Sequence, residues 1–240
     1  VIDIANDKYL TAQFLRENGF PYPFSVMASD KEGLQEIEDK FGFPLFAKPV
    51  DGARSLGIKK INNHTELIET YAPDSNLVVQ QFLSEDEGEY TSGCTVVDGK
   101  CTAVVTLKRD LRDGNTYRTF RDDATGKYDD FIIPIAEKLN ADGPVNFQFR
   151  IFDGKPVIFE INGRFSGTTP LRHFYGYNEV EAVLNYYLFG KPLQKPVLRN
   201  GVVMRAWADL FIEESEYDSF AKNGVLERPS ATMFNFCLKN

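Results

Sequence analysis

Asn146-Phe-Gln-Phe-Arg-Ile151, Phe152-Asp-Gly-Lys155 and Pro156-Val-Ile-Phe-Glu-Ile-Asn-Gly-Arg164 run consecutively through the second half of the chain, and their reading decides the fold. Two apolar, alternating runs flank Asp153-Gly154, a strong signal for a β-hairpin. The positions of Gln148 and Glu160 differ by an even number, so an odd-length loop puts both on one face of the ribbon. Asn162 and then Arg164 follow Glu160 on that face. A carboxylate and two amide oxygens converging in an otherwise apolar sheet make a hard-oxygen site suited to Mg²⁺, which takes a few protein oxygens plus phosphates. Arg164 stands beside that site as a fixed cation for a phosphate. The plainer alternative is a solvated outer face, but polar side chains on an inner face are costly unless paired.

With 240 residues the chain can build a sizeable core, as one large domain or two small ones. Its 42% hydrophobic and 26% charged content is that of an ordinary soluble globular protein. A net charge of −8 argues against non-specific binding to nucleic acid or an anionic membrane. It leaves room for ATP, which needs only a local cationic pocket. Cys94, Cys101 and Cys237 have no metal-ligand spacing and read as free thiols of a reducing cytosol. Two histidines, His64 and His173, leave little room for a His-based metal site or a Ser-His triad. With no signal peptide and no run of about 18 apolar residues, a cytoplasmic location is expected. The sequence opens at Val1 and enters a helix almost at once, so an upstream N-terminal domain is expected.

Asp7 or Asn6 caps a first helix with Leu10, Phe14 and Leu15 at helical spacing, and Gly19 stops it. Pro21-Tyr-Pro23 precedes a short strand at Phe24-Ser-Val-Met, and Asp30 caps a second helix reaching Lys40. Leu45-Phe-Ala-Lys-Pro49 is a strand, residues 51–57 a loop and 58–61 a returning strand. A helix over 64–71 leads to a strong strand at 76–83. The acidic run Ser84–Glu89 marks a boundary between lobes. Beyond it come strands at 90–97, 101–108 and 115–120, a helix at 129–140, the hairpin, and a helix at 178–189 closed by Gly190. The fold class is α+β: a small αβ lid lobe and a larger antiparallel α+β lobe with a cleft between them. The domains read as 1–84, 85–200, and an extension at 201–240 packed on the large lobe, in which Arg205–Asp209 is one more strand.

Lys48 ends an apolar strand and faces a Gly-containing loop. It can neutralise phosphate oxygens while the backbone N–H groups of Asp51–Gly57 lie over them. No Gly-Lys-Ser/Thr follows the strand, so this is not a Walker A loop. The alternatives are a snorkelling surface lysine for Lys48 and a solvated helix residue for Lys8. Gln80, Gln81 and Glu89 border the hinge, where an adenine and a ribose would lie, with Glu89 accepting from ribose hydroxyls. As neighbour to Glu85, Asp86 and Glu87, Glu89 also reads as part of a solvated acidic run.

In sum the chain resembles an ATP-grasp domain, and its motif order is similar to that of the carbamoyl-phosphate synthetase large chain, in a short, single-unit form. The resemblance runs over residues 1–195 through Asp7-Lys8, Gly42–Pro49, the loop ending Ser55-Leu-Gly57, Val78–Leu83, Glu89, Asn146-Phe-Gln148 and Phe159–Gly167. It implies that Lys8 and Lys48 touch the nucleotide phosphates, under a loop carrying Ser55 and Gly57. It implies that Gln80, Gln81, Phe82, Glu89 and Gln148 line the nucleotide, and that Gln148, Glu160 and Asn162 hold Mg²⁺, or Mn²⁺. Arg164, with Lys48, would then steady the transferred phosphoryl group. Gly163 departs from the family's frequent proline, and the phosphate loop is poor in glycine.

The implied reaction is ADP-forming ligation of a small-molecule carboxylate to an amine through an acyl-phosphate. Metals, lysines and an arginine meet the demands of its first step, because phosphoryl transfer is mostly positioning and charge neutralisation. Closure of the small lobe would keep water from the intermediate. Lys108, Arg109, Arg112, Arg118, Arg121 and Arg172 are the cations from which an acceptor carboxylate would be bound. Two other readings stay open: a nucleotide-binding module without ligase activity that needs a partner subunit or a homodimer, and a bicarbonate- or carbamate-phosphorylating subunit. A kinase is disfavoured, since neither His-Arg-Asp nor Asp-Phe-Gly occurs.

Overall fold

A computed structural model describes residues 1–52, 57–206, 209–211, 213–224 and 232–234. Ala53 to Leu56, with Ser55 among them, and Trp207, Ala208 and Cys237 lie outside the described residues. The chain forms two compact units, Val1–Val203 and Met204–Asn240.

The first unit begins with α1 (Ile2–Asn6) and α2 (Lys8–Glu17). Asp7 separates them, and its side chain accepts hydrogen bonds from the backbone N–H groups of Tyr9 at 2.7 Å and Leu10 at 2.9 Å. Asp7 is therefore the N-cap, satisfying donors that have no partner inside the helix. Asp7→Ala is expected to cost about 1 kcal/mol. For a protein of this size that lowers Tm by about 2–4 °C in scanning calorimetry; an unchanged Tm would show that the cap contributes nothing.

Next come β1 (Ser25–Met27), α3 (Lys31–Phe41), β2 (Leu45–Pro49), β3 (Lys59–Ile61), α4 (His64–Thr70) and β4 (Leu77–Gln81). The strands form an antiparallel sheet in the order β1-β4-β2-β3. Leu34 and Ile37 of α3 and Leu67 of α4 pack on its Val26, Leu45, Ala47, Ile61 and Val79.

The larger part comprises β5 (Glu89–Val97), β6 (Lys100–Arg112), β7 (Asn115–Arg121), α5 (Asp123–Gly126), α6 (Asp129–Leu139), β8 (Gly143–Phe152), β9 (Lys155–Asn162), α7 (Thr169–Phe174), α8 (Glu179–Phe189) and β10 (Gly201–Met204). Its six strands lie in the order β10-β7-β6-β5-β8-β9. One face of the sheet, with Cys94, Val104, Phe147, Phe149, Ile158 and Ile161, buries against Ile132, Ile135 and Leu139 of α6 and Leu15 of α2. Tyr175 and Tyr177 cover Ala103, Val105 and Leu107 on the other face. Past Leu107 that second face turns polar. In the second unit, β11 (Asp209–Phe211) pairs antiparallel with β12 (Thr232–Phe234), and α9 (Glu214–Asn223) lies between them in sequence. Of the strand expected at Arg205–Asp209, Arg205 and Ala206 belong to no strand, Asp209 opens β11, and Trp207 and Ala208 lie outside the described residues.

The hairpin forms, but not through an odd-length loop. Asp153 (φ +50°) and Gly154 (φ +69°) make a two-residue turn of the type whose twist matches antiparallel strands. With pairs Phe152↔Lys155 through Phe149↔Ile158, that turn alone would set Gln148 opposite Phe159 and leave Glu160 on the wrong face. A β-bulge then inserts Phe159 as an extra residue, and the register continues as Gln148↔Glu160 and Asn146↔Asn162. The bulge supplies the odd residue expected of the loop. β9 stops at Asn162, so Arg164 lies beyond the strand; it is exposed, and its Nη1 donates to the Phe165 carbonyl at 3.1 Å.

Candidate active site

On the polar face, side chains line up in rows across the strands. Arg109, Glu89 and Arg150 are direct neighbours on β6, β5 and β8. Two residues along lie Thr91, Gln148 and Glu160, and two further lie Gly93, Asn146 and Asn162.

In the first row Glu89 is buried and clamped. Its Oε1 accepts from Nε of Arg109 at 2.9 Å and from Nη2 of the same guanidinium, and its Oε2 accepts from Nε and Nη2 of Arg150 at 2.9 and 2.8 Å. Four bonds fill the four lone-pair positions of a carboxylate. Arg150 also donates to the Leu83 carbonyl at 2.7 Å and to Glu85 at 2.7 Å. Glu89 is thus no solvated member of the acidic run.

In the second row Arg109 Nη2 donates to Oε1 of Gln148 at 2.5 Å. The Gln148 amide nitrogen in turn donates to Glu160 Oε1 at 2.9 Å, and Asn162 Nδ2 donates to the same oxygen at 2.8 Å. Glu160 Oε2 and Asn162 Oδ1 accept no hydrogen bond among the described residues, and Gln148 Oε1 keeps a second lone pair. One carboxylate and two amide oxygens fit a single magnesium ion whose remaining ligands come from phosphates and water. No three His, Cys, Asp or Glu side chains converge on a metal-sized site among the described residues.

The third row is held from behind. Asn146 Oδ1 accepts from Thr91 Oγ1 at 2.9 Å and from Arg172 Nη2 at 2.7 Å. Arg172 is fully buried and pairs with the buried Glu179 at 3.0 Å. Its guanidinium lies against Gly93, where a Cβ would sit 2.1 Å from Arg172 Cζ, so only glycine fits there. Arg172 is therefore a structural cation and does not reach an acceptor. Arg121 is committed as well, to Asp129 at 2.9 Å and the Thr106 carbonyl at 2.9 Å. Arg118 pairs with Asp110, Arg112 is exposed with its guanidinium 4.5 Å from the Tyr117 ring centre, and Lys108 is exposed.

Two lysines stand nearby, one on the four-stranded sheet and one on α2. Lys48, on β2, is buried with its Nζ 5.9 Å from the Phe159 ring centre. Burial and the adjacent Lys8 charge pull it down from 10.5 to about 8, Glu160 opposing and Arg150 adding to the shift. It does not snorkel to the surface. Lys8, the first residue of α2, donates through Nζ to the carbonyls of Val50 at 3.3 Å and Gly52 at 3.2 Å, at the start of the loop after β2. Burial lowers its pKa too, with Glu160 the first charge acting against that. Gly57, at the far end of the loop, has φ +74° and lies against the Pro49 ring, a backbone that favours glycine.

The hinge residues turn elsewhere. Gln80 is buried and donates to Ser25 Oγ at 2.7 Å, while Gln81 Oε1 accepts from the Phe24 backbone at 3.4 Å. Phe82 packs edge-on against Phe46, centroids 5.1 Å apart, with Lys60 5.1 Å from its ring. Arg150 and Asn146 are the site residues the sequence reading left unassigned. Their signal was there: Asn146, Gln148 and Arg150 alternate strictly with Phe147, Phe149 and Ile151.

This arrangement is that of an ATP-grasp protein. Residues 74–209 match the family described as ATP-grasp in the biosynthetic pathway with Ter operon, and residues 5–127 match the RimK-like ATP-grasp domain. The chain belongs to the ATP-grasp superfamily. Among curated proteins it is 28% identical to D-alanine–D-alanine ligase A of Bacillus cereus, over 66% of this chain and 57% of that one. It is 26% identical to the carbamoyl phosphate synthase large chain of Pseudothermotoga lettingae, over 95% of this chain and 21% of that one. The chain thus spans little more than half of the ligase and about a fifth of the synthase. Among solved structures, N5-carboxyaminoimidazole synthetase from Staphylococcus aureus complexed with ADP superposes with a TM-score of 0.69 at 14% identity, covering 92% of this chain and 60% of that one. The biotin carboxylase domain of Hydrogenobacter thermophilus 2-oxoglutarate carboxylase, in complex with MgADP, gives 0.64 at 15% identity, over 76% and 46%. These structural likenesses show the fold.

Proposed function

We propose that this chain binds ATP with Mg²⁺ and that the protein it forms is an ADP-forming ligase joining a small-molecule carboxylate to an amine through an acyl-phosphate. The observation that carries the reading is the charge gathered where the two sheets of the first unit meet. Lys8, Lys48, Arg109 and Arg150 are the cations there, with Glu89 and Glu160 between them and Asp7, Asp51 and Glu85 at the margin. Two lysines held in a largely dry cleft beside a carboxylate with a free oxygen suit a metal-bound polyphosphate.

Lys48 and Lys8 face the phosphates, Lys48 as a buried point charge and Lys8 from the mouth of the loop that carries Gly57 and Ser55. Phe82 offers an apolar wall for the base, and the segment following β4 offers backbone groups to its edge. Glu160, with the oxygens of Asn162 and Gln148, would hold the metal. When bound, the ion neutralises phosphate oxygens as charge moves between them. Arg164, exposed just past β9, is free of the strand register and reaches toward the transferred phosphoryl group. Water is kept out by closure of the four-stranded sheet over the platform, which protects an acyl-phosphate from hydrolysis.

The test is ADP release by the complete gene product over a panel of carboxylate–amine pairs. One pair that stimulates ADP release and yields a C–N-linked product establishes the ligase. Tight ATP binding without stimulation by any pair would reduce the chain to a nucleotide-binding module.

A further inference from the structure

We infer that Arg109 is a positioning residue of the metal–phosphate site, acting on Glu160 through the amide of Gln148; this rests on the ATP and magnesium reading above. Its guanidinium is almost wholly buried and four of its five N–H donors are engaged. Nε and one Nη2 hydrogen go to Glu89 Oε1, the other Nη2 hydrogen to Gln148 Oε1, and Nη1 to Thr116 Oγ1 at 3.5 Å. Glu89 is itself locked from the far side by Arg150, so the fork cannot turn. The Nε and Nη2 donors on this edge leave nothing for a ligand. What it can do is decide how Gln148 stands.

A primary amide has two nearly isosteric ends, and only the hydrogen-bond network distinguishes them. A guanidinium N–H meets an oxygen and repels an NH₂. With Arg109 on one side, the Gln148 oxygen must face β6 and its NH₂ must face β9, where it donates to Glu160 Oε1. Asn162 donates to the same oxygen. Two N–H donors therefore hold the carboxylate by one oxygen and leave Oε2 as the anionic edge for the ion. Without Arg109 the amide can invert and set its oxygen against Oε1, and the carboxylate loses a tether. Lysine is no substitute, because a compact ammonium cannot bridge Glu89 and Gln148 as the planar fork does.

The proposal can be tested on the ligand-free protein first. The side-chain ¹⁵N–¹H pair of Gln148, assigned by its disappearance in Gln148→Glu, should exchange slowly with water in the wild type. In Arg109→Met and Arg109→Lys it should exchange at least about tenfold faster, as for any amide released from a buried network. Mn²⁺ titrated by electron paramagnetic resonance in the presence of ADP should bind about 10- to 100-fold more weakly in both variants. In EDTA, ADP affinity of Arg109→Lys, which keeps the positive charge, should fall less than its Mn²⁺ affinity does. Arg109→Met leaves Glu89 paired with Arg150; should that variant fail to fold, Arg109→Lys carries both measurements. Unchanged amide exchange and Mn²⁺ affinity in a folded variant would overturn the role of Arg109 and leave the metal site standing. Absence of Mn²⁺ binding in the wild type would sink the metal reading, and the amide exchange alone would then decide whether Arg109 holds Gln148.

Discussion

Glu160→Ala is expected to abolish Mg²⁺-dependent nucleotide binding while leaving binding in EDTA intact. Of the two carboxylates in the three rows, Glu89 is saturated by arginines and Glu160 is not. Its removal takes away the anionic metal ligand and strands the NH₂ groups of Gln148 and Asn162. Losing one partner of a desolvated, hydrogen-bonded charge pair costs about 2–5 kcal/mol in binding, which at the upper end erases measurable metal dependence. The metal-free arm moves the other way. The site becomes more cationic, so ATP alone should bind as well as before or better. Calorimetric titration of ATP into wild type and variant, with Mg²⁺ and with EDTA, separates the two arms. A variant that keeps the wild-type Mg²⁺ dependence would remove Glu160 from the metal site, whatever else the chain binds.

The residues that framed this prediction were legible because they break a pattern. Polar side chains at every second position of an otherwise apolar hairpin mark a functional face. The helices at Asp7 and Asp30 were legible from their caps, each of which accepts a backbone hydrogen bond as the capping rule requires. Parity was not legible. Asp153-Gly154 specifies a two-residue turn, and only the tertiary demand that Glu160 share a face with Gln148 accounts for the bulge at Phe159. Pairing was not legible either. Glu89, Arg109 and Arg150 are far apart in sequence, and nothing local shows that a carboxylate at the edge of an acidic run is clamped by two arginines. For the same reason Arg172 read as a cation beside the site, when Gly93, on a distant strand, makes the space that buries it. The short helices α5 and α7 and the strand β10 carry too few periodic residues to announce themselves.

Lys48 gives the second large effect and a signature in pH. Lys48→Met should weaken nucleotide binding by about 1–3 kcal/mol, the worth of a hydrogen bond to a charged group in a partly dry cleft. In the wild type, protein stability and nucleotide affinity should respond to pH in opposite directions. The unfolded chain holds the Lys48 proton up to about 10.5, whereas the folded chain releases it near 8. Between those values the unfolded state binds more protons, so the ligand-free protein gains stability as pH rises, by at most about 3 kcal/mol. Over the same window the neutral amine stops pairing with phosphate, and ADP affinity should fall. Near pH 8 binding should also draw a proton onto Lys48, visible as a buffer-dependent enthalpy. Lys48→Arg should flatten both profiles, because a guanidinium stays charged throughout. Denaturant melts and ADP titrations from pH 7 to pH 10 measure the two slopes. A wild-type affinity that is flat across that range, or a Lys48→Met protein that binds ADP as tightly as wild type, would take Lys48 off the phosphates. Its burial would then need another cause, and the charge gathered at the site would lose its central cation.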